Sequence, residues 1–281
     1  MWTQIVGKTR MVLAPPLNHW WHVTLYVTPR GLASSEIPLD GGGFDVEFDF
    51  LAHRLAMRTS WGEERAFVLF PRSVADFYEE YMASLLSLGI EVKIDPVPAE
   101  FDDVTPYHAD RHHTSYDRAS VERFHQILVR ADRLFQQFRG RFLGKCSPVH
   151  FFWGSFDLAV TRFSGRRAPP ATDADPMTRE AYSHEVSSCG FWPGDRRYPA
   201  AAFYAYSSPA PPGLESADVR PGGWNKQLGE FILPYEEART AEDPDAAVLN
   251  FCQTAYEAGA RLGGWDCDNL ERSRRVHGST R

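Results

Sequence analysis

Two segments of this chain resemble each other, and this internal similarity constrains the fold more than any other feature. PPLNHWWHVTLYVTPR at residues 15–30 and SPVHFFWGSFDLAVTR at residues 147–162 share a proline, a histidine followed by aromatic residues, and a Val-Thr pair near a final arginine. A second pair of similar segments follows each of the first two: AFVLFPRS at residues 66–73 and EFILPYEE at residues 230–237. Because internal similarity of this kind indicates duplication of a structural unit, the chain is predicted to consist of two similar halves.

Strand patterns lie within both halves. FDVEFDF at residues 44–50 alternates apolar and acidic side chains, which predicts a half-buried strand. Arg54 and Arg58 follow after a short gap, so a hairpin would place them opposite the acids on the neighbouring strand. EVKI at residues 91–94 is predicted to be another short strand, and SHEVSSCGF and AAFYAY in the second half predict two more.

Three helices have clear boundaries in the sequence. The first is predicted at residues 74–88, because Ser73 can cap its start and Gly89 ends its apolar stripe. A long amphipathic helix is predicted at residues 118–142. The last is predicted to begin at the Asp-Pro pair of residues 243 and 244 and to end near Leu262. The fold class is therefore α+β, with two similar halves of antiparallel strands, each followed by a packed helix, and with the helices on one side of the sheets.

The same patterns predict the domain boundaries. Residues 1–94 form the N-terminal half, and the proline- and histidine-rich residues 95–115 form a linker. Residues 116–265 form the C-terminal half, and the basic residues 266–281 form a flexible tail.

Composition narrows the class of protein. The chain has 281 residues, 43% of them hydrophobic, which is enough for a substantial core. A net charge of −7 argues against nucleic-acid binding. The sequence contains no signal peptide and no apolar run long enough to cross a bilayer, so we expect a cytoplasmic protein without a membrane partner. The four cysteines are widely spaced and are expected to be reduced thiols. Nothing in the sequence indicates an oligomeric state.

Strand parity separates the histidines of NHWWH. If residues 18–27 form a regular strand, His19 lies on an apolar face and is expected to be a core residue, whereas His22 and Tyr26 share the more polar face. In the second copy, His150 lies on the apolar face. Its polar face carries Trp153, Ser155 and Asp157. These polar faces are predicted to line one pocket between the halves, with His22, Tyr26, Trp153 and Ser155 as ligand-binding residues and Asp157 as a catalytic residue.

Three further residues are candidates for the same pocket. His184 is a candidate ligand-binding residue and Glu185 a candidate catalytic residue, because one of two adjacent strand residues faces each side. Arg162 is a candidate ligand for an anionic group. His22 and His184 are candidate metal ligands, and a divalent metal is the candidate cofactor, although no established metal-binding motif is present. Cys189 is a candidate nucleophile. A cysteine of this kind is more often a small buried residue of the core.

Several long motifs resemble a known bacterial family. NHWWH, KCSPVHFFWGSFDLAVTRFSGR, HEVSSCGFWPG and GEFILPYE are similar to sequences of a family classed as a domain of unknown function, over nearly the whole chain up to about Trp265. The resemblance implies no reaction and no catalytic role, because that family has no assigned function.

Three functions fit these residues. The first is binding of a small molecule, partly aromatic or anionic, in an aromatic pocket lined by His and Asp, and the residues do not decide whether a reaction follows. The second is a metal-dependent hydrolase that uses the same residues. The third is a protein-interaction module in which the aromatic residues form an interface.

Overall fold

The computed structural model describes residues 1–170 and 172–272. The helices in this part of the chain are α1 (Trp2–Leu13), α2 (Val74–Ser87), α3 (Arg118–Gly140), α4 (Pro176–Ala181), α5 (Tyr235–Thr240), α6 (Pro244–Leu262) and α7 (Cys267–Leu270). The strands are β1 (Tyr26–Val27), β2 (Gly31–Ala33), β3 (Ile37–Leu39), β4 (Gly42–Asp49), β5 (Arg54–Thr59), β6 (Glu64–Val68), β7 (His150–Phe152), β8 (Asp157–Arg167), β9 (His184–Trp192), β10 (Ala202–Ser208), β11 (Gly223–Asn225) and β12 (Glu230–Pro234).

The strands form two six-stranded sheets. The first has the order β1-β2-β4-β5-β6, with β3 paired to β4. The second has the order β11-β12-β10-β9-β8-β7. The strand pairs whose register is defined are antiparallel in both sheets. The α+β class predicted from the sequence is therefore confirmed.

The chain divides into two compact units. The first consists of Met1–Asp132 and His150–Leu158, and the second of Arg133–Val149 and the residues from Ala159 onward. α3 and β8 each begin in the first unit and continue into the second. The division between the units therefore runs through one helix and one strand.

The apolar side of strand β4 is confirmed, but two of the three acids on its other side are buried as well. Phe44, Val46 and Phe48 are buried in the core of the first unit. The opposite side pairs acid with base across the hairpin, since Asp45 faces Arg58 and Arg58 donates to its carboxylate at 2.6 Å. The charged side of this strand is therefore used for ion pairs between neighbouring strands.

Helix α2 closes the core of the first unit as the sequence predicts. The Ser73 hydroxyl accepts a hydrogen bond from the Asp76 amide and caps the helix start. Gly89 adopts a left-handed φ of 75°, and the amides of Gly89 and Ile90 bond back to the carbonyls of Leu86 and Leu85. These hydrogen bonds satisfy carbonyl groups in the last turn of the helix.

The segment at residues 91–94 is not a strand, contrary to the sequence prediction. EVKI makes no ladder with any described strand and runs as irregular chain. Four residues that follow directly on a closed helix end and precede Asp95-Pro96 have no partner strand beside them, and an isolated strand is not stable.

Residues 95–109 pack on helix α1. The Gln4 side chain donates to the Ala99 carbonyl and accepts from the Ala99 amide, both at 2.9 Å. It also accepts from the Tyr107 hydroxyl at 3.0 Å, and Lys8 pairs with Asp95 at 3.3 Å. The segment predicted as a linker is thus bound to the first unit along its first half.

Helix α6 forms the main helical cover of the second unit. Asp243 caps it by accepting from the Ala246 amide, with Pro244 at the first helical position. Cys189 and Cys252 are buried here, and the Cys189 thiol donates to the Cys252 carbonyl at 3.7 Å. Cys189 therefore behaves as a small core residue, the more frequent case for a buried cysteine.

Among the described residues, no helix combines the length and the apolar character needed to cross a membrane. At the C-terminal end, α7 and Arg272 are ordered, with the Arg272 side chain donating to the Gly140 carbonyl at 2.9 Å. The rest of the predicted tail, residues 273–281, lies outside the described residues.

Candidate functional site

The NHWWH segment consists of short 3-10 turns on either side of a kink, within Asn18–Val23, and is not the start of a strand. His19 (φ 58°, ψ 22°) and Trp20 (φ 61°, ψ 26°) both have left-handed backbones. Such a conformation costs a non-glycine residue about 1 kcal/mol or more. The strand-parity argument for His19 and His22 was therefore wrong, because two consecutive left-handed residues turn the chain where a strand would continue straight.

The rings beside this turn form a histidine–aromatic cluster, defined as His19, Trp21, Tyr26, His150 and Phe152. Trp21 lies 5.3 Å from the His19 ring and 5.7 Å from the His150 ring, between centroids. The Tyr26 hydroxyl lies 3.5 Å from His150 Nε2. His19 and His150 are only 5% and 1% exposed. Both matched histidines of the two similar segments are thus core residues, as the sequence predicted for them.

His22 is also buried, at 5% exposure. Its Nδ1 accepts a hydrogen bond from the Leu17 amide at 3.2 Å, so this nitrogen carries no proton in that arrangement. Its ring packs 5.2 Å from that of Trp20. These contacts hold the turn closed, which is a packing role for the residue proposed as a metal and substrate ligand.

Trp153, Ser155 and Asp157 do not lie on one strand face. Residues 153–156 form a turn between β7 and β8, and Phe156 there has a left-handed φ of 60°. Trp153 is buried and its indole donates to the Val23 carbonyl at 2.6 Å. The Ser155 hydroxyl donates to the buried Asp157 carboxylate. The parity prediction for this segment fails because the turn breaks the two-residue period.

Arg162 lies in the core of the second unit with 0% of its surface exposed. Its guanidinium carbon lies 3.5 Å from the ring centre of Phe138 and 4.4 Å from that of Tyr256. It donates to the Phe138 carbonyl, and burial lowers its pKa. The cation–π contacts with these aromatic faces offset part of the free-energy cost of burying the guanidinium.

His184 and Glu185 begin strand β9. His184 Nδ1 lies 3.1 Å from the Ser183 hydroxyl. Burial first, and then the charges of Lys145 and Arg167, lower the pKa of His184. His184 is therefore neutral at physiological pH.

Glu185 is held by Arg166. Arg166 Nε and Nη2 both donate to Glu185 Oε2, at 2.9 and 2.7 Å. The same guanidinium donates to the carbonyls of Gly263 and Gly264, which follow the end of α6. Arg166 therefore joins the carboxylate to the C-terminal end of a long helix.

A groove of about 260 Å³ lies beside this ion pair, entirely within the second unit. We call it the proline groove. Its lining residues are Glu185, Val186, Ser207, Ser208, Pro209, Ala210, Pro211, Pro212, Gly259, Gly263 and Trp265. Among these, Glu185 is the one ionisable side chain and two serines are the other polar ones, so the groove is mainly apolar with a single acidic group.

The structure divides the sequence-predicted residues between the two units. The first unit contains His22, Tyr26, Trp153, Ser155 and Asp157, and the second contains Arg162, His184 and Glu185. The candidate metal ligands His22 and His184 thus belong to different units. In the described part of the chain, no three His, Cys, Asp or Glu side chains are grouped so that they could share a metal ion.

Sequence reasoning missed Trp265 as a site residue. The proline-rich loop that forms the opposite wall did carry a signal, because long loops of proline and small residues are frequently functional. The loop lies near Glu185 because β9 pairs with β10 in a register that brings Ser208 opposite Val186. Sequence patterns do not reveal this register.

The protein is of the α+β class, with two antiparallel sheets and packed helices. Its candidate ligand site is the proline groove, in which Glu185 is the one carboxylate. The chain belongs to the family of unknown function DUF5996, whose family model matches residues 1–272. No curated protein and no solved structure matches the chain.

Proposed function

We propose that this protein binds a small organic cation in the proline groove. The observation that carries the proposal is the placement of Glu185 at the wall of a mainly apolar groove that Trp265 also lines. Small-molecule sites combine apolar walls with a few placed polar groups in this way.

The charge of the groove favours a cation. Arg166 donates two hydrogen bonds to one oxygen of Glu185, Oε2. The Gly263 and Gly264 carbonyls at the end of α6 add partial negative charge, because the C-terminus of a helix carries about half a negative charge. The Arg166 guanidinium shows that this corner accommodates a cationic group, and a ligand ammonium would share Glu185 with it or displace it.

The walls and the volume of the groove indicate the size and the apolar character of the ligand. An indole face attracts an ammonium group through a cation–π interaction of about 0.5–2 kcal/mol. The prolines of residues 209–212 present rigid apolar surface, which costs little conformational entropy on binding. A volume of about 260 Å³ suits a single ring with a short chain.

Binding is favoured over a reaction for a simple reason. Acid–base catalysis commonly needs a donor and an acceptor of protons at the substrate. In the lining of this groove, the described residues supply one ionisable group, Glu185. The groove is better suited to holding a cation than to transforming one.

Calorimetric titration with three matched probes tests the proposal. The probes are 2-phenylethylammonium, its neutral isostere 2-phenylethanol, and the anion 3-phenylpropionate. We expect the ammonium to bind at least about tenfold more tightly than the alcohol, which corresponds to about 1.4 kcal/mol. The anion is expected to bind most weakly.

Variants then locate the site. Glu185→Gln should remove the preference for the ammonium, and Trp265→Ala should weaken both the ammonium and the alcohol. Trp61→Ala, at an exposed tryptophan of the first unit, is the matched control and should change neither. Equal affinities for the three probes, or binding that is insensitive to Trp265→Ala, would overturn the proposal.

A further inference from the structure

A buried histidine in the first unit connects a tyrosine to a glutamate. His53 Nδ1 lies 2.9 Å from the Tyr116 hydroxyl, and His53 Nε2 lies 3.0 Å from Glu122 Oε1. The three side chains thus form a continuous hydrogen-bonded chain, which we call the Tyr116 relay. It is separate from the proline groove, because all three residues belong to the first unit.

The backbone holds His53 firmly in this position. It lies in the turn between β4 and β5 with a left-handed φ of 49° and is 4% exposed. Its carbonyl accepts from the Leu69 amide at 2.7 Å. Asp49 fixes the same turn by accepting from the amides of Leu51 and Ala52. A non-glycine residue in this strained conformation is more frequent at functional sites than elsewhere.

The two partners of His53 both reach solvent. Tyr116 precedes helix α3 and is half-buried, with its ring stacked 5.4 Å from that of Trp2. Glu122 lies in the second turn of α3 and its side chain is 51% exposed. The relay therefore runs from a half-buried tyrosine, through a buried imidazole, to an exposed carboxylate.

In one of its two neutral tautomers, His53 can take a proton from Tyr116. An ionised Glu122 accepts the Nε2 proton of His53, which leaves a lone pair on Nδ1 to accept from the Tyr116 hydroxyl. Burial raises the pKa of Tyr116 to about 12. The free phenolate is therefore scarce at neutral pH, and Tyr116 can react as a nucleophile only if a neighbouring base takes its proton.

We infer that Tyr116 is a nucleophilic hydroxyl that accepts an acyl group from an activated ester or thioester, with His53 as its general base and Glu122 as the positioning residue. The arrangement of hydroxyl, imidazole and carboxylate is the one that activates nucleophiles in acyl transfer. In the reaction, the Tyr116 oxygen forms a bond to the carbonyl carbon and its proton moves to His53 Nδ1. The bond from that carbon to the leaving oxygen or sulfur breaks, and the leaving group departs with the bonding electron pair.

The test uses p-nitrophenyl acetate on the full-length chain. Release of p-nitrophenolate is followed by absorbance, and acetylated tyrosines are located by peptide mass spectrometry. Tyr78 is the internal control, because burial also raises its pKa and its ring lies 6.4 Å from that of His108, too far for a hydrogen-bonded relay of the Tyr116 kind. We expect acetylation of Tyr116 at least tenfold faster than of Tyr78, and none at that position in Tyr116→Phe.

Two further variants separate a relay from a structural latch. If His53 and Glu122 only fasten Tyr116, then His53→Gln and Glu122→Gln expose its ring and raise its acetylation. If they activate it, the same changes lower its acetylation, tenfold or more for His53→Gln and severalfold for Glu122→Gln. The exposed Glu122→Gln change keeps the test valid if His53→Gln does not fold. Equal labelling of the two tyrosines, or faster labelling of Tyr116 in Glu122→Gln, would overturn the inference.

Discussion

The histidine–aromatic cluster of the first unit and the proline groove of the second differ in residue content and in exposure to solvent. The cluster concentrates residues capable of chemistry, yet His19 and His150 are 5% or less exposed and its rings pack on one another. The groove holds one ionisable side chain, Glu185, among prolines, serines, glycines and a tryptophan. The two histidines of the cluster are closed off from solvent, whereas the single ionisable group of the groove lies at its lining.

This difference shows that burial decides the role of a residue more than its chemistry does. Burying an imidazole or a carboxylate costs free energy unless hydrogen bonds satisfy it. In the first unit those bonds are made: Leu17 donates to His22, and Ser155 donates to Asp157. Such satisfied groups fix the fold, whereas Glu185 is at a surface that a ligand can reach. The comparison predicts that changes in the cluster reduce stability and that changes in the groove reduce binding.

The largest expected effect is at Trp153, beside the cluster. Its indole fills the space above Gly7, where even a Cβ would lie 2.1 Å from the ring nitrogen, and it donates to Val23. Trp153→Ala should lower the free energy of unfolding by about 3–5 kcal/mol, since it creates a large cavity. Urea unfolding measures this, with the exposed Trp61→Ala as control at about 0.5 kcal/mol or less. A loss at Trp153 as small as that of the control would contradict a packing role.

The next effect is at Arg162, the buried candidate of the second unit. Arg162→Ala should cost about 2–5 kcal/mol, because it empties the space between Phe138 and Tyr256. Arg162→Met keeps much of the volume and removes a buried charge, so it should be nearly neutral or stabilising. Thermal unfolding compares the two variants. If methionine were as damaging as alanine, the guanidinium itself would be the important group.

A smaller effect is expected for Glu185→Gln in the absence of ligand. Arg166 is half-exposed in its pair with Glu185, and exposed ion pairs contribute about 0–1 kcal/mol. The free energy of unfolding should therefore fall by no more than about 1 kcal/mol while the affinity for the ammonium probe falls about tenfold. A large loss of stability would mean that the groove wall is structural, like the cluster.

The smallest expected effect is a pH dependence at His184, beside the groove. Its pKa is lower in the folded protein than the ordinary value near 6.5. Below pH 6.5 the unfolded chain therefore takes up this proton first, and the folded state loses stability as the pH falls towards the lowered pKa. Denaturant unfolding at pH 7.5 and pH 5 should show a smaller acid loss in His184→Gln than in the original protein. Identical acid losses would remove His184 as the cause.

Periodic and capped elements were the predictable part of this fold. The strand at residues 44–50, the helix after Ser73 and the helix after Asp243 lie where local pattern and capping place them. The backbone of NHWWH could not be predicted in the same way. Residues other than glycine seldom adopt the left-handed conformation, so nothing in the sequence indicates that His19 and Trp20 both adopt it. The internal duplication stays a prediction.

The candidate site was predictable only in pieces. Glu185 and the proline-rich loop were both visible in the sequence, but their proximity depends on the register of β9 against β10. Trp265 joins them through the end of α6, a contact between residues far apart in sequence. Long-range packing of this kind has no local signature, and the same is true of the buried environment of Arg162.

The most direct test of the central claim observes the eight tryptophans of the chain at once. The indole N–H signals are recorded by two-dimensional NMR on protein labelled with ¹⁵N tryptophan, and Trp265→Phe assigns the signal of the groove. During titration with 2-phenylethylammonium, we expect a saturable shift of the Trp265 signal, with that of Trp21 unchanged. A shift at Trp21 with none at Trp265 would contradict this, and would place the ligand at the histidine–aromatic cluster.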